Sequence, residues 1–272
     1  MPLSHRLAAL VALHGAPAAC DPREAAHAAT PVADVLVSVR AGAVTAPDSI
    51  GAGWARLRVE EDGAGHILVV FRLPEDTDPT AFVAALDTAR ATPQPAIALG
   101  GPEVGDTGEV VIQFTPGRYV LGCVRRGPEG HRHASTGEAK VLVVTDAPVA
   151  SGREVPPPAT QQLRMVDFAY VGPERWPAGS HMLRVENGGR QEHQLRLVRL
   201  RPGSSLQDWL SADDRDKIGT AVAGIARLGP GAVAYLPVEL PAGAYVAYCL
   251  ILDPASGRLH IELGMLRAIQ VE

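Results

Sequence analysis

The stretch Pro241–Met265, PAGAYVAYCLILDPASGRLHIELGM, decides how this 272-residue chain is read. Apolar residues run up to Leu252, a turn signal DPASG follows, and a second apolar run carries the chain to Gly264. That pattern predicts a β-hairpin. The hairpin holds a cysteine, a histidine and a methionine at Cys249, His260 and Met265. Thiolate, imidazole and thioether are the soft ligands that suit copper. If Asp253–Ser256 form a four-residue loop, Leu252 pairs with Gly257 and Cys249 stands opposite His260. Directly opposed β-carbons lie about 4.5–5.5 Å apart, close enough for one ion to take both side chains.

The same pattern occurs earlier in the chain. FTPGRYVLGC (Phe114–Cys123) matches LPAGAYVAYC (Leu240–Cys249), and WARLRVEEDGAGHILVVFRL (Trp54–Leu73) resembles HMLRVENGGRQEHQLRLVRL (His181–Leu200). His66 precedes Cys123 by 57 positions and His193 precedes Cys249 by 56; His66 to His133 and His193 to His260 are both 67. Spacing held this closely implies two copies of one fold. In the first copy a three-residue loop, Gly127–Glu129, sets Cys123 opposite His133, with Glu138 where the second copy has Met265.

Each copy reads mainly as short strands with β-branched or alternating runs between Gly, Pro and Asp, such as VLVSV, ARLRV, EVVIQF and KVLVVT. One helix interrupts each: DPTAFVAALDTA, with Asp78 as N-cap and Pro79 at the first helical position, and SSLQDWLSADD, with Ser204 or Ser205 as cap. The predicted fold class is all-β: two tandem Greek-key β-sandwiches, each with a short helical insertion. The expected division is a leader over 1–28, a first domain over 34–147, a Pro-rich, semi-rigid linker over 148–159 and a second domain over 160–272.

With both copies in view, the chain resembles the cupredoxins, the plastocyanin and azurin superfamily. RVENGGRQEHQL around the first histidine and the terminal hairpin carry the resemblance. It implies a blue-copper site in the second copy, with His193 the first ligand, Cys249 the thiolate, His260 the second imidazole and Met265 the axial thioether. One copper ion is the implied cofactor, electron transfer or copper handling the implied function, and a redox protein the implied partner. Ten residues separate Cys249 from His260, where the family keeps only a few. In the first copy His66, Cys123, His133 and Glu138 form a weaker, altered set, because a carboxylate is a harder ligand than a thioether. The competing expectation is a metal-free tandem sandwich acting as an extracytoplasmic binding or scaffold module.

The remaining signals narrow the function class. Net charge is −5, with no long basic run, so nucleic acid is not an expected partner. MPLSHR followed by Leu7–Ala19 reads as an export signal, processed after AHA (Ala26–Ala28) or at Cys20, a lipidation candidate. A periplasmic or outer-surface location, with membrane contact only through lipid on Cys20, follows as an expectation. Outside the leader there are six histidines, too few for a multicopper oxidase cluster, and no hydrolase motif is present, so an enzyme is not expected. A Cys123–Cys249 disulfide is arithmetically allowed, but the matching places of the two cysteines in their repeats argue against it. The acidic runs EED (Glu60–Asp62) and DDRD (Asp213–Asp216) read as solvated surface, His131 as a turn residue and Trp176 as cover for a sandwich edge.

Overall fold

The computed structural model describes residues 33–63, 65–103, 107–148 and 155–272. In the first half the strands are β1 (Ala33–Arg40), β2 (Ala43–Thr45), β3 (Ser49–Glu61) and β4 (Leu68–Leu73). Helix α1 (Pro79–Thr88), then β5 (Ile97–Ala98), β6 (Thr107–Phe114), β7 (Gly117–Cys123) and β8 (Ala139–Pro148) complete it. The second half opens with β9 (Gln161–Val166), β10 (Ala169–Val171), β11 (Arg175–Trp176), β12 (Gly179–Asn187) and β13 (His193–Leu200). It ends with α2 (Leu206–Ser211), β14 (Gly219–Leu228), β15 (Val233–Leu240), β16 (Gly243–Tyr248) and β17 (Leu266–Val271).

The halves repeat one another, with β11 and β12 together standing where β3 runs in the first, and each is an all-β sandwich. In the first, β1 pairs with β2 and β3, and β3 with β6; β4, β7 and β8 form the facing sheet. In the second, β9 pairs with β10 and β12, and β12 with β15; β13, β16 and β17 face them. Strand β3 serves both sheets of its half: Ser49–Ala52 lie along β8, and from Gly53 onward it lies along β6. Gly53, at φ 137°, sits at that change of sheet, a backbone conformation open to glycine.

Alternation explains the burial. Leu68 and Val70 face the inner core while Val69 and Phe71 point outward, and α1 covers the outward pair with Phe82 and Leu86. In the second half Leu195 and Leu197 face inward, and Trp209 of α2 covers Val198 and Leu200. Both faces of β4 are thus buried, which is why LVVFRL is a nearly unbroken apolar run, whereas β13, HQLRLVRL, carries the half-buried Arg196 and Arg199. The helix starts match the sequence reading. Asp78 accepts from the Thr80 and Ala81 N–H groups, and Ser205 and Asp208 form a reciprocal capping box.

Strand β8 runs through Pro148, which pairs with Ala52 of β3, and β9 begins at Gln161. More than a linker joins the halves. Strand β6 pairs with β15, bridges link Leu99 to Leu228 and Pro102 to Ile225, and Trp54 meets Tyr235 edge-on at 5.2 Å. Pro31–Glu272 is accordingly one compact unit.

The hairpin register differs from the expected one in both halves. Leu252 pairs with Leu259 rather than Gly257, and Arg126 with Arg132. The Asp253 carboxylate accepts from Ser256 N–H and the Asp253 carbonyl from Gly257 N–H, which widens the loop. Neither histidine is a strand residue: His133–Thr136 and His260–Leu263 are 3₁₀ turns. Both registers move by two, an even slip that leaves each side chain on its face of the ladder.

Replacing the Ser205 cap with Ala is expected to lower stability by about 0.5–2 kcal/mol, read as a drop in urea midpoint at unchanged slope.

Candidate metal centre

His193 begins β13, Cys249 directly follows β16, and His260 opens the last 3₁₀ turn. Three backbone hydrogen bonds assemble them: Met265 N–H to the His260 carbonyl (2.9 Å), Cys249 N–H to the Met265 carbonyl (3.3 Å) and Ile261 N–H to the Cys249 carbonyl (2.9 Å). Gly264, at φ 102°, makes the reversal that returns the chain to Cys249. The Cys249 Sγ lies 3.5 Å from His260 Nδ1, and the two Nδ1 atoms lie 3.1 Å apart. His193, Cys249, His260 and Met265 are all fully buried. With ten residues between them, Cys249 and His260 still bring their side chains together.

The ring tautomers follow from the outer partners. Asp167 Oδ1 lies 3.1 Å from His193 Nε2, so that nitrogen carries the proton and donates. His260 Nε2 donates to Gln191 Oε1 at 3.3 Å, an orientation set by the Gln191 amide donating to Asp253. Both Nδ1 lone pairs then face each other beside the sulfur. Burial lowers the His193 pKa, and burial followed by the neighbouring His193 brings His260 down to about 4, so both rings are neutral near pH 7. In the metal-free protein the Cys249 S–H can donate to His260 Nδ1 at 3.5 Å, and a cation between the two Nδ1 atoms would satisfy both lone pairs. With metal–nitrogen and metal–sulfur lengths of about 2.0–2.3 Å, ligand atoms around one ion stand roughly 3.3–3.8 Å apart. The spacings here fit that range after small adjustment. Burial pushes the Cys249 thiol up to about 12, so a bound cation would have to displace its proton.

The β9–β10 turn covers this cluster. Asp167 holds His193, and the Phe168 ring meets the His260 ring edge-on at 5.1 Å. Phe168 has φ 66°, a conformation costly for a bulky side chain. Gly189 is confined from the other side: a β-carbon there would stand 2.7 Å from His193 Nε2.

The first half assembles His66, Cys123, His133 and Glu138 in the same way. Glu138 N–H donates to the His133 carbonyl (2.9 Å) and Cys123 N–H to the Glu138 carbonyl (3.0 Å), as Met265 and Cys249 do. The Cys123 Sγ is 3.8 Å from both His66 Nδ1 and His133 Nδ1. Glu138 Oε2 fills the centre, 2.8 Å from His66 Nδ1 and 3.1 Å from His133 Nδ1. Burial raises the Glu138 pKa, but hydrogen bonds from Gly42 N–H and from Cys123, together with His66, outweigh it and hold the carboxyl below its usual range. Burial pushes Cys123 up to about 12. The His133 side chain is 21% exposed, so this cluster reaches solvent.

Several residues at these clusters escaped the sequence reading. Asp62, within the run expected to be solvated, pairs with His66 Nε2 at 3.0 Å. Asp167 does the same for His193, and its only signal was its turn position. Gln194 N–H donates to the Cys249 Sγ (3.4 Å), its side-chain oxygen accepts from Leu250 N–H, and its amide donates to both oxygens of buried Glu103. His131 is an exposed residue paired with Asp87, and Trp176 is buried. Cys123 and Cys249 are both free. Cys20 and the leader lie outside the described residues.

No protein-family model and no curated protein sequence matches the chain. Among solved structures it is similar to a dithionite-reduced auracyanin of the photosynthetic bacterium Roseiflexus castenholzii, at 20% identity and TM-score 0.30 over 41% of this chain and 94% of that one. It is similar to a copper-containing nitrite reductase of Thermus scotoductus, at 14% identity and TM-score 0.25 over 89% of this chain and 62% of that one. A multi-copper oxidase of Pediococcus acidilactici gives 12% identity and TM-score 0.28, covering 89% and 59%. At these TM-scores the likenesses add nothing to what strand order and the two clusters establish.

Removing the acceptor of a fully buried ring nitrogen is costly. Asp167→Ala is expected to lower the stability of the metal-free protein by about 1–3 kcal/mol, measured by urea unfolding. A second expectation concerns pH. Burial raises the Glu103 carboxyl to about 7, above its ordinary value. The unfolded chain then loses that proton at lower pH than the folded one, so stability falls as pH rises from about 4.5 to 7. Wild type minus Glu103→Gln should show that decline across this window in urea midpoints, and a flat difference would refute the assignment.

Proposed function

We propose that this chain is an exported copper protein whose second half binds one copper ion through His193, Cys249, His260 and Met265, for electron transfer or copper handling. The observation that carries the reading is the pair of facing Nδ1 lone pairs, 3.1 Å apart beside a cysteine sulfur in a sealed site. Bound copper would supply a one-electron couple. The chain's contribution is to hold the ligands: Asp167 and Gln191 orient the rings, and the Gln194 N–H bears on the sulfur. Met265 occupies the backbone position of Glu138, whose side chain reaches the centre of its own cluster, which favours an axial role. The apolar surroundings keep water out, and a thioether favours the softer, reduced ion. No helix among the described residues is long and apolar enough to cross a membrane. Export, lipid on Cys20 and a redox partner protein belong to this proposal on the leader sequence and the site type.

A second reading concerns the first half. Glu138 on two imidazoles, with His133 open to solvent, favours a harder divalent ion there than at the second cluster.

Copper titration of the full chain tests the first reading. One equivalent should raise an intense thiolate-to-copper absorption band, absent in Cys249→Ser and retained in Cys123→Ser. A colourless protein with no copper by elemental analysis would leave a metal-free tandem sandwich. Asp167→Ala should weaken copper binding by about 10–100-fold in competition with a chelator. Zinc titration of Glu138→Gln against wild type tests the second reading, which predicts loss of binding at the first cluster alone.

A further inference from the structure

Between the halves lies a cavity of about 280 Å³. Its wall repeats the internal symmetry: Ile67 and Gln194 each follow the first histidine of their cluster, and Val124 and Leu250 each follow the cysteine. Four arginines, Arg90, Arg126, Arg132 and Arg227, line the same space, against one carboxylate, Glu103.

The balance of charge is what singles this cavity out. Arg132 is buried, and its guanidinium donates to three backbone carbonyls, of Leu86, Val124 and Ala89, at 2.7–2.9 Å. Carbonyls position a guanidinium without neutralising it, and they leave N–H donors over. No carboxylate forms an ion pair with it among the described residues. Burial, then the charges of Arg227 and Arg126, pull its pKa down to about 10 against the opposing charges of Asp87 and Glu192. Arg126 donates to the Gly130 carbonyl only, and the Arg90 side chain has no hydrogen bond or ion pair among the described residues. Arg227 is paired with buried Glu192. Glu103 is already held by the Gln194 amide and lies 3.6 Å from Arg196 Nε. Glu103 and Glu192 are therefore committed, and Asp87, which accepts from the Arg132 backbone N–H, is shared with His131 and Ser135; none of Arg90, Arg126 and Arg132 forms a side-chain ion pair among the described residues.

Arg132 is buried while Arg90 and Arg126 reach solvent, and guanidinium donors match the geometry of oxyanions. We propose that this cavity binds a small oxyanion of the phosphate or sulfate class, held by Arg90, Arg126 and Arg132. The volume admits such an ion with water and excludes large ligands. The cavity adjoins both metal-type clusters but none of their histidines, cysteines or Glu138 lines it, and the inference stands without any metal.

The test is isothermal titration of the full chain with inorganic phosphate and with sulfate, at constant ionic strength balanced with sodium chloride. The variant is the double change Arg90→Gln and Arg126→Gln, since both residues are exposed and outside the core; Arg132→Gln would remove fold contacts and is not used. Saturable binding at one site, weakened by about tenfold or more in the variant, is the expected result, on the order of one lost charge-assisted pair. Circular dichroism and the urea midpoint confirm that the variant is folded. Heats that track ionic strength alone, or equal affinity in a folded variant, would overturn the proposal. Comparison of phosphate with sulfate across pH 6–8 separates a site for the dianion of phosphate, which strengthens with pH, from one that takes either ion equally.

Discussion

Both clusters depend on one short backbone ladder. The residue five places after the second histidine donates its N–H to that histidine's carbonyl and accepts from the N–H of the cysteine, in each half. This ladder clamps three residues from two segments into one small volume, and a fourth, the first histidine, comes from the beginning of a neighbouring strand or just ahead of it. Shift it and the sulfur no longer faces the rings. Its turn relies on a glycine with positive φ, Gly137 in the first half and Gly264 in the second.

On that shared frame the halves have diverged by a few side chains. Glu138 puts a carboxylate at the centre of the first cluster, and Gly42 in the β1–β2 turn braces it with an N–H. The second half has Met265 in place of Glu138, and the matching turn carries Asp167 and Phe168, which close over the histidines. The first cluster is hard and partly open; the second is soft and sealed. Softness and dryness act together, because removing water strengthens every electrostatic interaction left inside.

The seam between the halves is a working part of the molecule as well as a join. Paired strands, the Trp54–Tyr235 contact and the hydrogen bond from Thr92 N–H to buried Glu192 (3.1 Å) fix one half against the other. The Gln194–Glu103 contact then links a residue beside the second cluster to a loop of the first half. A variant at the seam can therefore disturb the second cluster without touching a ligand.

Much of this was legible in the residues. Period-two alternation marks the strands, Asp78 and Ser205 mark helix starts through contacts two or three residues away, and the repeat spacing puts the same four positions at each cluster. Those signals are local or periodic, so a single chain displays them. The carboxylates that orient the rings, the two-residue register shift and the arginine-lined cavity were not legible. Asp167 and His193 are 26 positions apart, and Glu103 and Gln194 are 91 apart. Contacts of that span leave no periodic trace. Loop register turned on a side chain, Asp253, competing for a backbone N–H, which a strand-pairing rule does not weigh. The sequence by itself determined the sandwich, its duplication and the residue types gathered at each cluster; the tertiary structure alone decided which lone pairs face inward, because that depends on partners from other strands.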